Sequence, residues 1–255
     1  MKLVSLLATG LVASTLIVSG CSTMDKAAET AKETMSKAKD AVVKKGKPVG
    51  ISPKMSDAMV KHNGSDVKIM RDQNNAATVN PSFAKTSRPC PPFCIQPIVL
   101  APGVETIAEL EILDYLGKMS GGDSSIIVVD SRTPDWVAKG TIPGAVNLPW
   151  TDLNPKKGAT TDGIMKIMAD QFGVKLADGA DSFDVDEAIA AGDTTKVFDF
   201  SSAKTLVMFC NGMWCGQSPT NILDLLKFGY PAEKIKWYRG GMQSWSVLGF
   251  NTAKP

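Results

Sequence analysis

Cys210 is the residue of this chain best placed to do chemistry, because of what stands on either side of it. It directly follows the apolar run 205–209 (TLVMF) and precedes Asn211, Gly212, Met213, Trp214, Cys215 and Gly216. Ser218-Pro219 then reads as a helix start, a serine N-cap with proline behind it. A cysteine in a loop between strand and helix meets inward-turned backbone N–H groups and the positive end of the helix dipole. Both favour thiolate over thiol, so Cys210 is expected to have a lowered pKa and to be nucleophilic near neutral pH. A buried structural cysteine in the same place is the alternative.

The other cysteines qualify this reading. Cys215 is close enough in sequence to attack a persulfide on Cys210, or to close a disulfide with it. Cys90 and Cys94 stand in the run Arg88-Pro89-Cys90-Pro91-Pro92-Phe93-Cys94. They are candidates for a local disulfide, or for a redox or sulfur-relay pair serving Cys210; two cysteines cannot complete a tetrahedral zinc site. His62 is the one histidine, so histidine-based catalysis or metal binding is disfavoured. Asp178, Asp181, Asp184 and Asp186 do not fit the EF-hand spacing and read as a solvated loop with a short helix. No metal and no organic cofactor are expected. The net charge of +2, with no basic block, gives no reason to expect a nucleic-acid partner.

The elements that must position Cys210 follow from hydrophobic patterning. Residues 125–130 (SIIVVD) form a second short apolar run, typical of a strand covered on both faces. Ile107, Leu110, Leu113 and Leu116 line one helical face that Gly117 can close. A second helix is expected from Asp162 to Phe172, capped by Gly173. A third follows Ser218, with Ile222, Leu225 and Leu226 inward and Gly229 at its end. Strands alternating with helices predict an α/β domain with a central, mostly parallel sheet flanked by helices. Ligands of such sheets bind outside the carboxyl ends of the strands, which is where Cys210 would lie.

The expected domain spans residues 89–255. Residues 1–20 read as a signal peptide: Lys2, an apolar stretch from Leu3 to Val18 too short to span a membrane, then Val18-Ser19-Gly20 before Cys21. That run resembles the lipobox of bacterial lipoproteins, which implies acylation of Cys21, and Ser22 resembles the pattern sent to the outer membrane. An ordinary secretory signal is the alternative. Residues 21–88 are expected to be a tether: a helical stretch to about residue 47, then a Pro-, Gly-, Asn- and Ser-containing linker or loose arm.

Four motifs together resemble the rhodanese-like domain: Val128-Val129-Asp130-Ser131-Arg132, Gly140-Thr141-Ile142-Pro143-Gly144-Ala145, Val207-Met208-Phe209-Cys210 and Tyr238-Arg239-Gly240-Gly241-Met242. The resemblance implies that Cys210 is the catalytic cysteine and that the loop Cys210–Cys215 cradles a persulfide. It gives Asp130 and Arg132 a supporting role at the sheet end, the alternative being a surface ion pair. Trp214 could wall the pocket, and Gly240 and Gly241 would permit close packing. Thr141 departs from the histidine frequent in the family, Cys215 from its usual sixth loop residue, and no arginine lies in the loop. The implied activity is sulfur transfer from a small sulfane donor, such as thiosulfate or a persulfide, to a thiol acceptor, a protein thiol among them. The implied setting is the envelope, on the outer membrane facing the periplasm, held through the N-terminal lipid. The other readings are a dithiol–disulfide redox protein or sensor using Cys210 and Cys215, and a non-catalytic partner-binding module.

Overall fold

Residues 48–255 are described by the computed structural model; the expected signal peptide, Cys21 and the helical tether lie outside the described residues. The first elements are β1 (Asp57–His62) and β2 (Ser65–Met70), an antiparallel hairpin. Asn63 and Gly64, both at positive φ, supply the two-residue turn that the strand twist favours. This hairpin corrects the expectation of a loose arm over residues 48–88. Val60 and Ile69 are buried in one cluster with Leu113, Leu116 and Trp245. His62 Nδ1 accepts the Gly144 N–H at 3.1 Å while its Nε2 donates to the Lys254 carbonyl at 2.7 Å. Each strand buries a single residue, so no sustained alternation betrays it in the sequence. Residues 48–255 form one compact unit.

The central sheet comprises β3 (Glu105–Ile107), β4 (Ile126–Asp130) and β5 (Val146–Asn147). After a separate small ladder of β6 (Lys175–Leu176) with β7 (Phe198–Asp199) come its remaining strands, β8 (Thr205–Phe209) and β9 (Ile235–Tyr238). The order is β3-β9-β8-β4-β5, and every pairing is parallel. Side chains alternate across a strand. Val129, Leu206, Met208 and Trp237 therefore face one cluster, and Val128, Val207, Phe209 and Tyr238 the opposite one. Both faces are covered, which is why β4 and β8 read as continuous apolar runs. Leu206, Val207 and Met208 are fully buried, each contributing about 1.5–3 kcal/mol of hydrophobic stabilisation.

The helices are α1 (Glu109–Ser120), α2 (Pro134–Val137), α3 (Thr161–Phe172), α4 (Ser182–Ala191), α5 (Gln217–Lys227) and α6 (Gly241–Val247). Buried residues of α3 and α5 join the first cluster; those of α1 and α6 join the second, with the hairpin. In α1 the Glu111 carboxylate accepts the Ala108 N–H at 3.0 Å, so the helix starts at Glu109. Its inward face is then Ile112, Leu113 and Leu116, while Ile107 sits on β3, Leu110 is exposed and Gly121 rather than Gly117 is the cap. In α4, Asp181 Oδ1 accepts the N–H groups of Phe183 and Asp184, and Asp184 Oδ2 accepts the Asp181 N–H, so two aspartates of the acidic segment serve a helix start. Among the described residues no helix is long and apolar enough to cross a membrane.

Candidate active site

Strand β8 ends at Phe209, paired with Asp130 of β4, and the Phe209 carbonyl accepts the Ser131 N–H at 2.9 Å. Cys210 therefore leaves the sheet at its carboxyl edge. Its loop is tight: the Cys215 N–H reaches back to the Gly212 carbonyl at 2.9 Å. Helix α6 fixes the loop from outside, with Met242 N donating to the Cys210 carbonyl at 3.0 Å and Gln243 N to that of Asn211 at 2.9 Å. Gly241 has φ +53°, and a Cβ there would lie 2.3 Å from the Cys210 carbonyl oxygen. Glycine is needed at that position because the two backbones touch.

Helix α5 begins two residues earlier than its Ser-Pro signal suggests. Gly216 takes the cap position, and Ser218 falls inside the first turn. There it is fully buried and its Oγ donates to Cys210 Sγ at 3.2 Å. The same oxygen accepts the indole N–H of Trp237 at 3.1 Å. With that lone pair occupied, the hydroxyl proton is directed at the sulfur. Ser218 and Trp237 were missed as site residues in the sequence. The serine carried a misleading cap signal, and the tryptophan is indistinguishable there from any buried strand residue.

The two thiols of the loop are set apart electrostatically. Cys210 is 2% and Cys215 4% exposed. Burial pushes the Cys210 thiol up, but hydrogen bonds from the Cys215 side chain, the Ser218 hydroxyl and the amides of Ser218 and Gly212 bring it from 9.0 down to about 7. Cys215 moves the other way, well above 9.0, through burial and then its hydrogen bond and proximity to the Cys210 charge. Cys210 therefore titrates close to neutral pH, with thiol and thiolate both present, while Cys215 keeps its proton.

Asp130 and Arg132 form a buried pair rather than a surface one, each side chain 1% exposed. Arg132 Nε and Nη2 donate to the two carboxylate oxygens at 2.9 and 2.6 Å, and Nη2 also reaches the Gly140 carbonyl at 2.8 Å. Thr141 Oγ1 donates to Asp130 Oδ2 at 2.6 Å. This network ties β4 to the 140–141 turn. None of its hydrogen bonds reaches the Cys210 sulfur, so it braces the edge on which the loop stands.

Above the loop lies a cavity of about 310 Å³ walled by Phe93, Trp136, Trp150 and Trp214. Asn211, Cys215 and Gly216 form part of its floor, whereas Cys210 is not exposed in its wall. Cys90 and Cys94 are bonded to each other, and the loop they close presents Phe93 edge-on to Trp214, ring centroids 5.7 Å apart. The Arg88 guanidinium lies 4.0 Å over the Trp214 ring. Trp214 is anchored by its indole N–H to Gln243 Oε1 at 2.6 Å, and Gln96 N donates to the Met213 carbonyl at 2.8 Å. Arg239 is committed to the Gln96 and Pro97 carbonyls. Among the described residues, no group of His, Cys, Asp or Glu is arranged to hold a metal ion.

Residues 113–248 match the family described as the rhodanese-like domain. No curated protein matches the chain. Solved structures to which it is similar include a human single-domain sulfurtransferase, at 18% identity over 56% of this chain and 95% of that one, TM-score 0.31. A rhodanese-like domain from Anabaena sp. matches at 14% identity over 61% and 81%, TM-score 0.30. A Bacillus halodurans protein matches at 16% identity over 55% and 70%, TM-score 0.34.

Proposed function

The chain belongs to the rhodanese-like domain family, and on that premise we propose that it is a sulfurtransferase working through a persulfide on Cys210. The observation that carries the proposal is the buried Cys210 sulfur taking a hydrogen bond from the Ser218 hydroxyl at 3.2 Å, in a loop whose amides and second cysteine lower its pKa. Such an arrangement stabilises a thiolate, and equally a persulfide anion, without a counter-cation. In the first half-reaction the Cys210 thiolate attacks the outer sulfur of a sulfane donor. With thiosulfate the S–S bond breaks, sulfite leaves with the electron pair, and Cys210 carries the persulfide. In the second, an acceptor thiolate attacks the outer sulfur, Cys210 is released as thiolate, and the acceptor departs as its persulfide.

No arginine lies between Cys210 and Gly216, Arg239 is already engaged, and Arg88 is stacked on Trp214 and does not line the cavity. The donor amides also face a charged sulfur. A dianion such as thiosulfate is therefore a poorer donor in this reading than a less charged persulfide or polysulfide. A second reading is favoured by one observation: Cys215, not Cys210, lines the cavity floor. Cys215 could take the sulfur onward, or form a disulfide with Cys210 as a dithiol enzyme. The proposal extends to location. The Val18-Ser19-Gly20-Cys21 run supports a lipid-anchored protein of the cell envelope.

The test is mass spectrometry of protein incubated with thiosulfate or with inorganic polysulfide. One added sulfur on Cys210 is expected, retained in Cys215→Ser and absent in Cys210→Ser. The latter swap is nearly isosteric, so stability should change within about 1 kcal/mol. Sulfur loading that survives in Cys210→Ser would remove Cys210 as the nucleophile. Loading lost in Cys215→Ser would favour the dithiol reading.

A further inference from the structure

One wall of the cavity over the active loop comes from outside the family match. Pro92 and Phe93 line it, and the match begins only at residue 113. The stretch that carries them is anchored at both ends. At its start the Phe83 carbonyl accepts Gln243 Nε2 at 3.4 Å, and the Phe83 side chain packs on the cluster that holds Trp245. At its end Gln96 N donates to the Met213 carbonyl at 2.8 Å, and the Gln96 carbonyl accepts Arg239 Nη2 at 2.7 Å. Gln243 lies on α6 and Met213 in the active loop, so both ends are fixed to the parts that shape the site.

Between the anchors the attachment is of another kind. Among the described residues, 85–95 make two hydrogen bonds, both local: Phe93 N to the Pro89 carbonyl at 3.0 Å, and Gln96 Nε2 to the Cys94 carbonyl at 3.0 Å. Pro89, Pro91 and Pro92 have no N–H to offer. What keeps Phe93 in the wall is a stack and one covalent bond. The Arg88 guanidinium lies 4.0 Å from the Trp214 ring and 5.5 Å from that of Phe93, and the two rings meet edge-on. The Cys90–Cys94 disulfide closes the turn between Arg88 and Phe93. Ring and cation–π contacts are individually small beside the entropy of ordering that many residues. The disulfide therefore holds the stack together, and Cys90 is exposed to solvent.

We infer that residues 85–95 are a redox-controlled strap that sets the size of substrate reaching Cys210. Oxidised, the strap holds Phe93 against Trp214 and narrows the mouth to small molecules. Reduced, it swings from its anchors at Phe83 and Gln96, Phe93 leaves the wall, and the site admits a sulfur as encumbered as the cysteine of a folded protein. The inference rests on the sulfurtransferase reading and adds the regulation of that site. The reductant is a small thiol. Its thiolate attacks Cys90 Sγ, the S–S bond breaks, and Cys94 leaves with the electron pair. A second thiolate attacks the mixed disulfide and Cys90 leaves. The two small thiols depart joined as a disulfide, and Cys90 and Cys94 take up protons from water.

The experiment alkylates the full chain near neutral pH with iodoacetamide, and in parallel with an iodoacetyl group carried on a long polyethylene glycol. Modification of Cys210 is read by peptide mass mapping. The ratio of the bulky rate to the small rate reports access and cancels the reactivity of the thiolate. In Cys90→Ser/Cys94→Ser this ratio should rise about tenfold over oxidised wild type, following the open population. Wild type reduced with a phosphine, which needs no substitution, should match that variant. Phe93→Ala with the disulfide intact should raise the ratio as well. An unchanged ratio in reduced wild type or in Phe93→Ala would overturn the strap. So would a further rise when the double variant is treated with phosphine, which would place the switch at other cysteines. Alkylation needs no turnover. A chain whose ratio follows the disulfide while Cys210 takes no sulfur refutes the sulfurtransferase reading and leaves the strap standing.

Discussion

Removing the Ser218 hydroxyl tests the central electrostatic claim. In Ser218→Ala the Cys210 sulfur loses a donor at 3.2 Å, and the Trp237 indole N–H loses its acceptor at 3.1 Å. A hydrogen bond to a charged acceptor is worth about 1.5–3 kcal/mol, and one pKa unit corresponds to about 1.36 kcal/mol. The Cys210 pKa should therefore rise by about one to two units from its value of about 7. The thiolate fraction at pH 7 then falls from about one half to about a tenth or less. The assay is the rate of iodoacetamide alkylation against pH, with serine and alanine at 218 compared in the chain that keeps Cys215, whose own thiol stays protonated through this range. Linkage gives an independent reading. The folded pKa of Cys210 is depressed from 9.0 to about 7, so its stabilisation is full above the unfolded value and is lost as pH falls through the folded one. Stability of the parent should rise between about pH 7 and pH 9, and Ser218→Ala should show a shallower rise. The orphaned indole should also cost about 1–3 kcal/mol at every pH. An unchanged alkylation midpoint in a folded variant would refute the account of how the thiolate is held.

Arg132→Ala should cost about 3–5 kcal/mol, because it leaves the Asp130 carboxylate buried without its partner; a urea midpoint shifted by less than about 1 kcal/mol would show that the network is dispensable. Cys21 should be the lipid-bearing N-terminus of the mature protein, with the chain partitioning into membranes. N-terminal mass mapping that finds another start, or protein wholly in the aqueous phase, would sink that proposal.

What the sequence by itself determined was whatever is written in consecutive residues. β4 and β8 were legible because a strand covered on both faces reads as an unbroken apolar run. The position of Cys210 was legible because a strand, a glycine-containing loop and a helix start follow one another directly along the chain. The helix ending at Phe172 with Gly173 in the left-handed cap was legible for the same reason. The tertiary structure alone decided the rest. A two-residue difference in where α5 begins turned Ser218 from a cap into the donor to Cys210, and sequence signals do not resolve helix ends that finely. The β1–β2 hairpin joins the core through Val60 and Ile69, too few buried positions to leave a period. Asp130 and Arg132 became a buried brace only when the 140–141 turn folded over them. Trp136, Trp150 and Trp214 wall one cavity because the parallel sheet delivers the connections after β4, β5 and β8 to the same edge, and Phe93 joins them from the disulfide-closed loop that precedes β3. Pockets are made by such long-range convergence, and no local pattern in the chain encodes it.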